Sequence, residues 1–136
     1  MAVIALDIGG TKIAGAILSA DGTIMFNHRN LLKGREGNDV GKLIAENLSR
    51  LLAKARYHKI NIDGVGVCIP GSVNPQTGRV WAPNIPGWQN YPLLEVLKNV
   101  VDNPSIHISI DNDRICYVYG EMWQGAAKDC QNVIFI

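Results

Sequence analysis

No run in this 136-residue sequence stays apolar for the roughly 20 residues that a bilayer-spanning helix needs. No basic stretch precedes the first apolar segment, so no secretory leader is expected. Charge of one sign is also missing. The 13 Lys and Arg stand against 12 Asp and Glu, a net charge of +1, which gives neither a nucleic-acid footprint nor attraction to an anionic membrane. Cysteine is scarce: Cys68, Cys116 and Cys130 are widely spaced, with no C-x-x-C and no Cys/His cluster. Neither a disulfide framework nor a zinc site is expected, and a buried structural Cys68 in a reducing cytoplasm fits that usage. Two familiar phosphate motifs are absent as well. Gly9-Gly10-Thr11-Lys12 does not lead into a helix, as G-x-G-x-x-G would, and there is no G-x-x-x-x-G-K-[ST].

What is present is an ordinary globular composition, 47% apolar and 18% charged, enough for one domain with its own core. The most informative stretch is Val3-Ile4-Ala5-Leu6-Asp7-Ile8-Gly9-Gly10-Thr11-Lys12. It reads as a buried strand, a glycine turn with a carboxylate at its mouth, and a second strand over Ile13–Leu18. The glycines let backbone N–H groups approach a phosphate closely. Thr11 offers a hydroxyl, Lys12 a cation, and Asp7 a ligand for Mg²⁺, directly or through water. A plain Gly-Gly hairpin turn is the competing reading.

Further along, Asp21-Gly22 signals a hairpin turn into a third strand over Ile24–Asn30. Val40, Leu43, Ile44, Leu48, Leu51, Leu52 and Ala55 recur at helical spacing, with Asn38 or Asp39 available as cap. Asp63–Ile69, apolar on both faces, predicts a central parallel strand. A turn-rich segment follows to Tyr91, with a hairpin tip at Asn74–Gly78, and then a short helix after Pro92. Ile106–Ile110 predicts another buried strand. A helix starting near Asn112 follows, with Ile115, Val118, Tyr119 and Met122 on one face and Gly125 at its end. Asn132–Ile136 predicts a last strand. Three meandering strands followed by two βα crossovers make an α/β domain with a mixed sheet. Because Val133–Ile136 would leave an apolar strand open, the chain is expected to be the first lobe of a longer protein, with residues 1–131 as that lobe and 132–136 opening the next.

Three more segments carry polar groups to strand or loop ends. Pro70-Gly71-Ser72 follows the Asp63–Ile69 strand, where ligands of open α/β sheets bind. Trp81-Ala82-Pro83-Asn84-Ile85-Pro86-Gly87-Trp88 is a rigid loop whose two indoles can form a wall and whose Asn84 amide suits sugar hydroxyls. Asp111-Asn112-Asp113 opens a helix at another strand end. A carboxylate there can accept a hydroxyl proton, and capping by Asp111 or Asn112 explains the same residues without chemistry. The helix N-terminus favours an ionised Asp113, while burial opposes it.

Taken together, these segments resemble the N-terminal lobe of the ROK family of repressors and sugar kinases, in order and over the whole chain. Leu6–Lys12 resembles the family's first phosphate motif, and Val65–Gly71 its G-x-G-x-P-G strand and turn. Ala82–Trp88 is similar to its sugar loop, Asp111-Asn112-Asp113 to its Glu-Asn-Asp segment, and Gly120-Glu121 and Gly125-Ala126 to the G-E and G-A after it. The resemblance implies a ribonuclease H-like, actin-like ATPase lobe with a mixed five-stranded sheet and flanking helices. It implies phosphoryl transfer from MgATP to a hexose hydroxyl, with Asp113 as general base. Gly71, Ser72, Asn84, Asn112 and Asp113 itself would hold the sugar, Gly9, Gly10, Thr11 and Lys12 would face the phosphates, and Asp7 would lie near the metal. Further phosphate and sugar residues, a structural zinc motif and the main homodimer contacts would lie beyond Ile136, so the isolated chain is expected to be inactive as a kinase. Two departures stand out: Asp111 where Glu is usual, and Arg114-Ile115-Cys116 where Ala-Asn-Ala is common. A sugar-sensing regulator, with a DNA-binding element ahead of the first strand, and an actin-like ATPase with another acceptor are the competing expectations.

Overall fold

Alternation sets the first layer. In strand β1 (Ala2–Ile8), Ile4, Leu6 and Ile8 are buried on one face, and Val3, Ala5 and Asp7 turn to the other. Strand β2 (Lys12–Ser19) pairs with it antiparallel, from Ile8↔Ile13 to Ala2↔Ser19, and adds Ile13 and Ile17 to the buried face. The Asp21-Gly22 turn forms as expected, with Gly22 at φ +86°, and leads into β3 (Ile24–Leu31). The computed structural model describes residues 1–136.

The chain continues through α1 (Gly37–Tyr57), β4 (Ile62–Ile69), the two-residue strands β5 (Ser72–Val73) and β6 (Val80–Trp81), α2 (Leu93–Val101), β7 (His107–Asn112) and α3 (Asp113–Gln124). The five-stranded sheet runs β3-β2-β1-β4-β7. Strand β4 is parallel to both of its neighbours, so the central strand expected there is present. The β5–β6 pair is the hairpin whose tip is Asn74–Gly78.

Helix α1 covers the buried face through Val40, Ile44, Leu48, Leu51 and Ala55. Beneath it, buried Asn47 donates to the Leu43 carbonyl at 2.6 Å and meets His28 Nε2 from β3, tying helix to hairpin. Ile44 is fully buried in this layer. Ile44→Val is expected to lower unfolding stability by about 1 kcal/mol, and an unchanged urea midpoint would contradict that packing.

Four expectations are corrected. Neither Asn38 nor Asp39 caps α1; Glu36 holds the cap position without a side-chain bond, and the Gly37 N–H donates instead to the Pro86 carbonyl at 2.8 Å. Strand β7 is not buried, because it is the sheet edge and alternates exposed and half-buried residues. Helix α3 buries no residue, and Tyr119 is 65% exposed, since the helix meets the sheet mainly at β4 and β7. Asn132–Ile136 forms no strand: no neighbouring strand is there to take up its backbone groups.

Candidate functional site

The parallel strands β1, β4 and β7 end side by side. Their register aligns Asp7 with Cys68, Cys68 with Asp111 and Ile69 with Asn112. Period-two alternation therefore puts Asp7, Cys68 and Asp111 in one row on the sheet face opposite α1. The glycine turn closes beside Asp7, where the Gly9 N–H donates to the Lys12 carbonyl at 2.8 Å. Asp7, Gly10, Thr11 and Lys12 are exposed there.

The Asn84 loop is fastened from below. Ala82, Ile85 and Trp88 are buried, and the bonds Ala82 N–H to Trp88 O (2.8 Å) and Ile85 N–H to Ala82 O (3.0 Å) close the loop. Asn84 is left exposed at its crest. It packs against the glycine turn: a Cβ on Gly10 would lie 3.2 Å from both Asn84 Cβ and Asn84 O. The wall of two indoles does not form. Trp88 is 1% exposed and stacks on Tyr91, whereas Trp81 is 51% exposed.

Gly71 is equally constrained. A Cβ there would lie 2.0 Å from the Trp81 carbonyl oxygen. The Gly71 carbonyl accepts from Asn112 Nδ2 at 2.5 Å, and Asn112 Oδ1 accepts the Arg114 N–H at 2.9 Å, so Asn112 caps α3 and ties β7 to the β4 turn. One N–H and one lone pair of that amide remain for a ligand. Asp113, half-buried, opens α3 and accepts the Arg114 N–H at 2.8 Å. Ser72 is exposed on β5 next to Gly71. The residues singled out from the sequence thus occupy one edge of the molecule, on the ends of β1, β4 and β7 and the Asn84 loop.

The donor set fits Mg²⁺. Asp7 offers an exposed carboxylate oxygen beside a turn suited to phosphates, and this ion prefers one or two carboxylates with phosphate and water completing its shell. No three His, Cys, Asp or Glu side chains converge to cage an ion.

Some neighbours of the site were not evident from the sequence. Tyr117 is one of them: Asp7 pushes its phenol pKa up, with burial and Asp113 adding to the effect. Its position four residues after Asp113 on α3 was the available signal. Lys33 and Arg35 line a cleft of about 250 Å³ with Gly10, Thr11 and Pro86. The pairing Lys12↔Leu31 is what brings them beside the turn.

Cys68 is half-buried rather than fully buried. Burial pushes its thiol pKa up, reinforced by Cys116, Asp7 and Asp113, and burial does the same to Cys116. The exposed Cys130 is therefore expected to alkylate with iodoacetamide well before the other two, as peptide mass spectrometry would read. The folded chain keeps the Cys68 and Cys116 protons beyond the ordinary thiol pKa of 9.0. Their contribution to stability is complete below that pH and is lost as pH rises above it, which denaturant midpoints at about pH 8 and about pH 10 would show.

Known proteins resemble this chain in sequence and fold. A glucokinase of Halalkalibacterium halodurans is 33% identical over 138 residues, covering 98% of this chain and 40% of that protein. The xylose repressor of Bacillus spizizenii is 24% identical over 132 residues, covering 97% of this chain and 33% of the repressor. The ROK hexokinase of Thermus thermophilus has the same fold, with a TM-score of 0.79 and 27% identity over 95% of this chain and 41% of that one. The chain thus spans about 40% of the curated glucokinase it matches. The shared architecture is the actin-like, ribonuclease H-like ATPase fold. With the family model matching residues 3–136 as well, from the glycine turn through the Asp113 segment, this chain belongs to the ROK family.

Proposed function

We propose that this chain is the N-terminal lobe of an ATP-dependent hexose kinase that transfers the γ-phosphoryl group of MgATP to the 6-hydroxyl of glucose or a related (N-acetyl)hexose. The observation that carries this reading is how closely the glycine turn and the Asn84 loop lie: a Cβ on Gly10 would sit 3.2 Å from the Asn84 Cβ and backbone oxygen, so a turn suited to phosphates adjoins a loop bearing a bidentate amide. Donor and acceptor would then meet across one short contact, and most of the catalysis would be positioning and charge neutralisation.

In this reading Asp113 accepts the proton of the attacking hydroxyl. Asn84, Asn112, Gly71 and Ser72 orient the ring, and Gly9, Gly10, Thr11 and Lys12 face the phosphates. Mg²⁺ near Asp7 would neutralise charge on the transferring group. An ADP-release assay on the complete gene product with a panel of hexoses tests this. Hexose-dependent turnover supports it, and turnover with no hexose would sink it. The 136 residues alone are expected to be inactive, because phosphoryl transfer in this fold needs closure around both substrates. Similarity to the xylose repressor supports a second reading, a sugar-responsive regulator. Hexose binding without ADP release would favour it.

A further inference from the structure

The first amide of α1 is satisfied not by its own sequence but by the Asn84 loop. Gly37 is bracketed on both sides of its peptide plane system: its N–H donates to the Pro86 carbonyl at 2.8 Å, and its carbonyl accepts the Trp88 indole N–H at 3.0 Å. The approach depends on two glycines. Gly37 sits at φ +47° and Gly87 at φ +85°, and a Cβ on Gly87 would lie 3.0 Å from Gly37 Cα. One helical turn further on, Gly41 makes room for the Tyr91 hydroxyl, which a Cβ there would meet at 1.8 Å. Tyr91 in turn stacks flat on Trp88, with ring centroids 4.3 Å apart and planes 4° from parallel. The loop is therefore held at Gly37 and Gly41 on α1, with Asn84 on its outer side against Gly10.

We infer that Trp88 is a positioning residue for the sugar. It acts through Asn84 by clamping the loop to the N-terminus of α1, and Gly37, Gly41 and Tyr91 are the parts that let it do so. The inference rests on the hexose-kinase reading for the identity of the ligand. Its structural half, the clamp, stands on the bonds above. The sequence placed Trp88 in an aromatic wall and at the end of the Ala82–Trp88 segment, with no partner for its indole N–H. In the folded chain its indole N–H has a defined acceptor 51 positions away.

The test is Trp88→Phe in the complete gene product, which removes the N–H and keeps a ring against Tyr91. A neutral hydrogen bond contributes roughly 1 kcal/mol, so hexose KM should rise about fivefold while kcat and ATP KM stay within about twofold. Gly41→Ala, which displaces Tyr91, should raise hexose KM in the same direction. Leu97→Ala, at a buried position of α2 outside the 82–91 segment, should lower stability without moving hexose KM. Hydrogen exchange read by mass spectrometry should quicken at Gly37 and over residues 82–88 in Trp88→Phe, and should stay unchanged in β1 and β4.

An unchanged hexose KM in Trp88→Phe would overturn the positioning role, as would an equal rise in Leu97→Ala. Unchanged exchange over residues 82–88 would overturn the clamp itself. A parent enzyme without hexose turnover would instead remove the kinase reading and the sugar role with it, and the exchange result would then decide the clamp alone.

Discussion

Asp113→Asn in the complete gene product should lower hexose-dependent ADP release by about a thousandfold, with hexose KM and melting temperature little changed. The substitution keeps the shape of the side chain and removes the proton acceptor. Its structural cost is small, because the Arg114 N–H that Asp113 accepts is also accepted by Asn112 Oδ1 at 2.9 Å, so the start of α3 keeps its cap. The position suits a base. The carboxylate is half-buried at the end of β7, at the N-terminus of a helix, and on the same edge as Gly71 and Asn112. Retention of more than about a tenth of the parent kcat would exclude Asp113 as the general base, since a positioned base contributes at least a hundredfold. Asn112→Ala would not serve as the same probe, because it breaks both the cap and the tie to Gly71 and so mixes stability with catalysis.

The second large effect is expected at Gly71. Gly71→Ala places a methyl group 2.0 Å from the Trp81 carbonyl oxygen and 2.8 Å from Ala82 Cα. Both neighbours are backbone and cannot rotate away as the tip of a side chain could. The β4 turn must then move off the β5–β6 hairpin, stretching the 2.5 Å bond from Asn112 to the Gly71 carbonyl and shifting the base of the Asn84 loop. A loss of about 3 kcal/mol in unfolding free energy is expected, together with a raised hexose KM. Gly66→Ala in β4 is the matched control: a Cβ there meets nothing within 4 Å, so its effect should stay within about 0.5 kcal/mol. Equal urea midpoints for the two variants would refute the steric argument.

Tyr117 adds a condition to both experiments. The charge of Asp7, with burial and Asp113 adding to it, holds the Tyr117 phenol proton on past the usual range. Alkaline pH profiles are best compared with Tyr117→Phe alongside, so that ionisation of the phenol is not taken for ionisation of the substrate.

Much of this molecule follows from neighbours in sequence. Alternation in Val3–Ile8 puts Ile4, Leu6 and Ile8 inside and leaves Asp7 on the other face, at the mouth of the glycine turn. The 3.6-residue recurrence of Val40, Ile44, Leu48 and Leu51 makes one face of α1. Asp21-Gly22 turns the hairpin, and Asn112 caps the helix that Asp113 opens. Each of these rests on forces that act over one turn or one strand pair, so composition and spacing suffice to read them.

What only the tertiary structure decided are contacts between segments far apart in the chain. Strand β7 is legible as a strand, but its place at the sheet edge depends on the order β3-β2-β1-β4-β7, and that order is why it is half-exposed rather than buried. The start of α1 could not be read from Asn38 or Asp39, because the Pro86 carbonyl takes the Gly37 amide and the helix already begins there, ahead of both. Trp81 and Trp88 are alike in sequence and opposite in burial, since only Trp88 finds both a ring to stack on and an acceptor for its N–H. The site itself divides the same way. Local patterning determined which side chains are offered, and the packing of the Asn84 loop between α1 and Gly10 decided that the glycine turn and Asn84 lie side by side, because a glycine without a Cβ lets another segment come that close.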